Sequence, residues 1–202
     1  MSNVKVNSYI DRLLPEVEAN RKTKYEVSPL FVNRWSSRAF SEKEVTKEVL
    51  YAIIEAASWA PSASNEQPWR FVIAETKEKK DLFHSFINPR NQLWTEKAPV
   101  LLLLASKKQR SNGNPNGTHS FDTGAFWGYF ALQASILGLS TRAVGGFDKE
   151  SARKTLQIPE DLDLHAVIAL GYRGQRETLH EDFQEVEKPN TRRPFLDNSL
   201  PF

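Results

Sequence analysis

Pro61-Ser62-Ala63-Ser64-Asn65-Glu66-Gln67-Pro68-Trp69-Arg70-Phe71 joins a strongly helical segment to a strand-like one. Two prolines bracket short polar side chains, so this junction is stiff where most loops are slack. Hydroxyl, amide and backbone groups displayed on a stiff loop suit a flat, heteroatom-rich ligand better than a packed core. The bland alternative is a helix-terminating turn, which Pro61 alone would explain. Upstream, Val45, Val49, Ile53, Ala56 and Ala57 recur at spacings of three and four, which predicts a helix. Ser41 and Glu44 form a candidate capping box for it, and Pro61 stops it. Downstream, Phe71 to Ala74 reads as a short buried strand.

Working outward, Pro99 to Ala105 is a continuous apolar run that predicts a central strand covered on both faces. A polar helix over about Lys77 to Phe86 precedes it, and residues 107–119, rich in Gly, Asn, Pro and charge, read as a mobile surface loop. Ser120 is the expected cap of a helix over Phe121 to Leu137 that is apolar almost all round. Such a helix is either a central core element or is covered in part by a second subunit. Thr141 to Val144 predicts a strand ending in Gly145-Gly146, Asp148 caps a short helix, and His165 to Leu170 is another strand. From Gly171 onward apolar residues thin out, too few for a separate core. Ile10, Leu13, Leu14 and Val17 stand at helical spacing around Pro15. The short connections and irregular alternation imply an α+β layered fold rather than a doubly wound parallel sheet.

Composition narrows the function. The chain has 202 residues, 27 basic and 25 acidic, for a net charge of +2. That balance does not call for nucleic acid or an anionic membrane. Cysteine is absent, which excludes disulfides, thiolate metal sites and cysteine nucleophiles. The first residues lack the apolar core of a signal peptide, and the longest apolar run is far short of a membrane span, so a soluble, cytoplasmic protein is expected. The four histidines show no metal-ligand spacing, and His165, in an apolar strand, reads as a satisfied core histidine. Neither G-x-S-x-G, a P-loop nor G-x-G-x-x-G occurs.

Three kinds of group point to a bound flavin. Arg34 and Arg38, four apart around Ser36, share one anion if the segment is helical or tightly turned; otherwise they are unrelated surface arginines. The loop from Ser62 to Gln67 offers hydrogen-bonding groups. Gly145-Gly146 permits close backbone approach to a planar ring, or is an ordinary strand-to-helix turn.

Arg34-Trp35-Ser36-Ser37-Arg38-Ala39-Phe40, Ala60-Pro61-Ser62-Ala63-Ser64-Asn65-Glu66-Gln67-Pro68-Trp69, Gly145-Gly146-Phe147-Asp148 and Leu170-Gly171-Tyr172 resemble, in order and spacing, the nitroreductase family of FMN-dependent NAD(P)H oxidoreductases. The resemblance covers roughly residues 28 to 195. It implies a nitroreductase-like α+β fold: a central mixed, mostly antiparallel sheet flanked by helices, in a single domain over 1–202. Residues 1–27 would be an N-terminal extension and 172–202 an arm wrapping the partner of a homodimer.

By the same resemblance, Arg34 and Arg192 hold the FMN phosphate, with Arg193 competing for the second role. Ser36 and Arg38 lie toward the ribityl chain and pyrimidine edge, where Arg38 supports the reduced flavin. Ser62, Ala63, Asn65 and Gln67 line the ring from the neighbouring subunit, and Asn91 matches a pyrimidine-contacting asparagine. Gly145 and Gly146 present backbone N–H near flavin N5, although many relatives have glutamate at the position of Gly145. Trp35, Pro61 and Val144 belong to the same motifs and count among the cofactor-binding positions, although Trp35, with Trp69 and Trp127, also reads as a packing residue. The implied activity is hydride transfer from NADH or NADPH through FMN to a nitroaromatic, quinone or similar acceptor, with no protein nucleophile. The alternatives are an FMN storage or sensing protein, or a branch that dehalogenates, dehydrogenates or fragments flavin, with 107–119 as its lid.

Overall fold

The computed structural model describes residues 10–200. Four strands, β1 (Trp69–Ala74), β2 (Val100–Lys107), β3 (Leu139–Val144) and β4 (Leu162–Tyr172), form one sheet in the order β1-β2-β4-β3. Every ladder among them is antiparallel, so the expected mixture of strand directions is absent from the described sheet. β2 is buried from Val100 to Ser106, which explains its unbroken apolar run.

Side chains alternate across the sheet with a period of two. Leu101 and Leu103 join one core with Phe40, Phe83, Trp94, Val167 and Ala169. Leu102 and Leu104 join the other with Leu50, Ile53, Phe126, Phe130 and Ile168. The helices in chain order are α1 (Pro15–Glu18), α2 (Pro29–Asn33), α3 (Lys47–Ser58), α4 (Lys77–His84), α5 (Pro89–Thr95), α6 (His119–Ile136), α7 (Lys149–Leu156) and α8 (Glu181–Gln184). α3 and α6 cover the second core; α4, α5 and α7 flank the first.

Several boundaries differ from the sequence reading. Thr46 caps α3, its side chain accepting from the Val49 N–H, and Ser41 and Glu44 lie outside the helix. α6 begins at His119 after Thr118, ahead of the expected cap Ser120. α5 was not anticipated: Pro89 sits in its first turn and seven residues are too few to display a period. The 107–119 segment is a hairpin, with a Gln109–Pro115 bridge and a buried Asn116. Asp148 caps α7 as read, accepting from the Ser151 N–H at 3.0 Å.

α6 is unevenly covered. Phe126, Phe130, Ala131 and Ala134 are buried, whereas Phe121 is 82% exposed and Gly124, Gly128 and Tyr129 share its open side. The C-terminal segment partly joins its own chain, with Leu179 and Phe183 in the first core. Residues 190–200 are exposed. No helix among the described residues is long and apolar enough to cross a membrane.

Candidate functional site

α2 ends at Asn33, and Arg34 to Ala39 run without helical structure. Arg34 and Arg38 therefore do not share a helix face, and they have different partners. Arg34 donates to Ser36 Oγ at 3.3 Å. Its guanidinium pKa is lowered by burial and by the charge of Arg192. Arg21 joins them: burial, then Arg192 and Arg34, bring its pKa down to about 10. Arg21 donates from Nε to the Asn190 carbonyl at 2.8 Å and from Nη1 to the carbonyls of Arg34, at 3.0 Å, and Val32. None of the ion pairs found among the described residues involves Arg21, Arg34 or Arg192. Arg21 and Arg34 thus sit within reach of the Arg192 charge with no carboxylate paired to them among the described residues, a set of groups whose chemistry suits an anion. Arg192 and Arg193 are both exposed, and it is the charge of Arg192 that bears on Arg21 and Arg34.

Beside it lies a cleft of about 290 Å³ lined by Arg34, Trp35, Ser135, Ile136, Thr141 and Tyr172. Trp35 is half-buried, with the Arg173 guanidinium 5.5 Å from its ring centroid.

Arg38 turns elsewhere. Buried Glu187 accepts from Ser37 Oγ at 2.6 Å, from the Arg38 N–H at 2.6 Å and from the Ala39 N–H at 2.9 Å. Its other oxygen lies 3.6 Å from Arg38 Nη1, and the Arg38 guanidinium stacks on Phe183. Arg142, on β3, donates to the Ser36 carbonyl; burial, then Arg38, lowers its pKa to about 10. The first motif is thus held in shape by a carboxylate from the C-terminal segment and a guanidinium from β3.

The glycine pair follows Val144 at the end of β3. A Cβ on Gly146 would lie 2.8 Å from Asn91 Nδ2 and 3.0 Å from Asn88 Nδ2, so a larger residue there would displace one or both side-chain amides. Asn91 Nδ2 donates to the Gly146 carbonyl at 3.2 Å, so the fold brings Asn91 beside the glycine pair. Gly145 is exposed, and a Cβ there would meet nothing within 4 Å.

The 61–67 loop is strained. Ser64, Asn65 and Gln67 have φ of 53°, 56° and 47°, the left-handed region in which side chains other than glycine are costly. Three such residues so close together hold the loop backbone in an uncommon shape. Ser62 Oγ accepts from the Gln67 N–H at 3.1 Å, and Gln67 Nε2 donates to Asn65 Oδ1 at 3.1 Å. Ala63 N–H donates to buried Asp122 on α6 at 3.2 Å. Glu66 accepts from the Ser111 N–H at 2.9 Å, tying the loop to the 107–119 hairpin. Pro61 lies exposed just beyond α3.

The 61–67 loop and the Arg34–Trp35 pair lie toward opposite ends of α6. The loop is anchored near position 122, whereas Arg34 and Trp35 share the cleft with Ser135. At a rise of ~1.5 Å per residue, positions 122 and 135 are about 20 Å apart. Asp122, Arg21, Arg142 and Glu187 were not singled out by the sequence. Each is an ordinary charged residue in an unremarkable run, and only its partners give it a role.

A sequence profile described as the nitroreductase family matches residues 32–89 and 81–172. The chain belongs to the nitroreductase family. Among solved structures, an oxidoreductase containing FMN is 40% identical, covers 89% of this chain and 93% of its own, and superposes with a TM-score of 0.85. A protein of Archaeoglobus fulgidus that carries the name NADH dehydrogenase/NAD(P)H nitroreductase is 27% identical over 77% of this nitroreductase-family chain and 90% of its own. One of the same name from Methanothermobacter thermautotrophicus is 25% identical over 92% and 95%.

Proposed function

We propose that the chain is an FMN-dependent oxidoreductase that takes hydride from NADH or NADPH and passes it, by a ping-pong mechanism, to a nitroaromatic, quinone or similar conjugated acceptor. The observation that carries this reading is the convergence of Arg21, Arg34 and Arg192 without a carboxylate, next to the first family motif. Bound FMN supplies a ring that accepts hydride and releases it again. The chain supplies position and charge. Arg34, Arg192 and Arg21 neutralise the phosphate, and Ser36 lies between them and the ribityl chain. Asn91 and the N–H groups at Gly145 and Gly146 face the ring, with Val144 fixing where the turn begins. Arg38 supports the reduced ring from the pyrimidine side, its charge balanced by Glu187.

The FMN sites are completed across a homodimer. Pro61, Ser62, Ala63, Asn65 and Gln67 lie at the opposite end of α6 from Arg34, so they serve the partner's ring rather than their own. The open face of α6, with Phe121, Gly124, Gly128 and Tyr129, supports this pairing. In this reading the chain is one domain, with residues 1–27 as an extension and the exposed end of 172–202 reaching the partner. A supply of reduced nicotinamide and a cysteine-free sequence fit the cytoplasm.

A second reading, a family branch with different flavin chemistry, draws on one contact. Ser111 holds the 107–119 hairpin against Glu66 of the loop, where a lid over the acceptor would stand.

The test is optical. Protein purified without added cofactor should show flavin absorbance that bleaches anaerobically on NADH or NADPH and returns with a quinone. A colourless protein that takes up no FMN would overturn the proposal.

A further inference from the structure

Along the chain the histidines show no metal-ligand spacing, but the fold brings two of them together. His165 lies on β4 where the register against β2 shifts: Leu104 pairs with Ala166 and Ala105 with Leu164, leaving His165 as the extra residue of a bulge. Bulges re-aim side chains, and this one sends His165 toward Ser106 on β2. His119, the first residue of α6, reaches the same point from the other side. His165 Nε2 and His119 Nδ1 each lie 2.6 Å from the Ser106 hydroxyl oxygen, which is fully buried. Asp163, two residues before His165, completes the group. One ring nitrogen from each histidine and one Asp163 carboxylate oxygen all lie within 4.8 Å of one another.

We propose that His119, Asp163 and His165 form a binding site for a divalent transition-metal ion, with zinc as its best-matched occupant. Two imidazoles and a carboxylate are donors that zinc accepts, leaving a further position open. In a chain without cysteine they are also the strongest transition-metal ligands available. Zinc bonds of ~2.0–2.2 Å require the donors to draw together by about 1 Å from their present spacing, within the reach of side-chain rotation. Ser106 stands where the two nitrogens converge, so it either lends its oxygen or swings aside. The N-terminal end of α6 disfavours a cation there, and the Asp163 carboxylate offsets that.

An occupied site would fasten the start of α6 to the end of the central β2–β4 ladder, three residues before Asp122, which holds the 61–67 loop. It is therefore a structural clamp beside the site already described, independent of the cofactor assigned there.

Untagged protein, carrying its flavin and stripped with a chelator, is titrated with zinc ion against a chromogenic competitor. The expected result is a single saturable site per chain. Asp163→Asn and His119→Gln should each weaken it by more than about 100-fold, beyond the ~10–100-fold typical of losing a supporting partner. His180→Gln, at the exposed His180–Asp182 pair, should leave it unchanged. Asp163→Asn alters no hydrogen bond in the bulge, so it tests the site even if a histidine variant fails to fold. No saturable uptake by the parent would overturn the proposal, leaving Ser106 as a plain hydrogen-bonded bridge. So would affinity equal to the parent's in Asp163→Asn and His119→Gln, or a loss confined to His180→Gln.

Discussion

Arg21 Nη1 donates to the backbone carbonyl of Arg34 at 3.0 Å while its Nε donates to that of Asn190 at 2.8 Å. One side chain from the N-terminal segment thereby fastens together the two stretches that carry Arg34 and Arg192. It adds its own charge to theirs. We predict that Arg21→Ala weakens FMN binding by about 10- to 100-fold, from one or more charge-assisted hydrogen bonds of ~1.5–3 kcal/mol each. Arg192→Ala should do the same and Arg193→Ala should not, as read by flavin fluorescence titration. Equal losses at 192 and 193 would contradict the arrangement.

Gly128 lies on the open side of α6, and a Cβ there would meet nothing within 4 Å in its own chain. Gly128→Leu should therefore fold with unchanged helicity. It should nonetheless sediment as a monomer and lose flavin, because the bulk falls in the proposed interface. A dimeric variant with full flavin content would remove α6 from that interface.

Ser64 is exposed with φ of 53°, so its side chain packs on little and its backbone carries the cost. Ser64→Gly should stay within about 1 kcal/mol of the parent, whereas Ser64→Val should lose ~1–3 kcal/mol. Thermal unfolding separates the two. Equal stabilities would mean that the loop is not held in the left-handed region.

Glu187 accepts hydrogen bonds from Ser37, Arg38 and Ala39 together. Glu187→Gln keeps the shape but removes the charge, and an amide accepts these donors less strongly. We expect a loss of ~1.5–3 kcal/mol in unfolding free energy. The reduction rate of the flavin should change with it, since Arg38 loses its counter-charge. An unchanged denaturation midpoint would show that the carboxylate does not hold the motif.

His84 closes α4 with its Nε2 buried and without a partner, and burial lowers its pKa. Its folded pKa is thus below the unfolded value of 6.5. The unfolded chain takes up the proton first on acidification, so stability falls as pH drops below about 6.5. His84→Gln should flatten that part of a stability profile. A parallel profile in the variant would assign the acid sensitivity elsewhere.

How much of this was visible along the chain follows from which signals are local. The Leu101 to Leu104 run identifies a doubly covered strand because every residue in it is apolar, and Asp148 announces α7 from its own chemistry. α5 was hidden by its brevity, and Thr46 by a neighbouring capping pair that looked better. The 61–67 loop and the glycine pair were legible because proline and glycine encode backbone shape directly. Arg21, Arg142 and Glu187 were not, because a charged residue's role depends on partners more than a hundred positions away. His119 and His165 were hidden for another reason: a bulge and a helix start, and not their spacing, bring them to one hydroxyl.

The proposed division of the site between the two ends of α6 has a genetic consequence. In the proposed dimer, a chain damaged at Arg34 and another damaged in the 61–67 loop each carry the half that the other lacks. Expressed alone, each should give a pair with two defective centres. Co-expressed, they should form hybrids in which one centre inherits both lesions and the other inherits neither, so two inactive alleles together would restore activity.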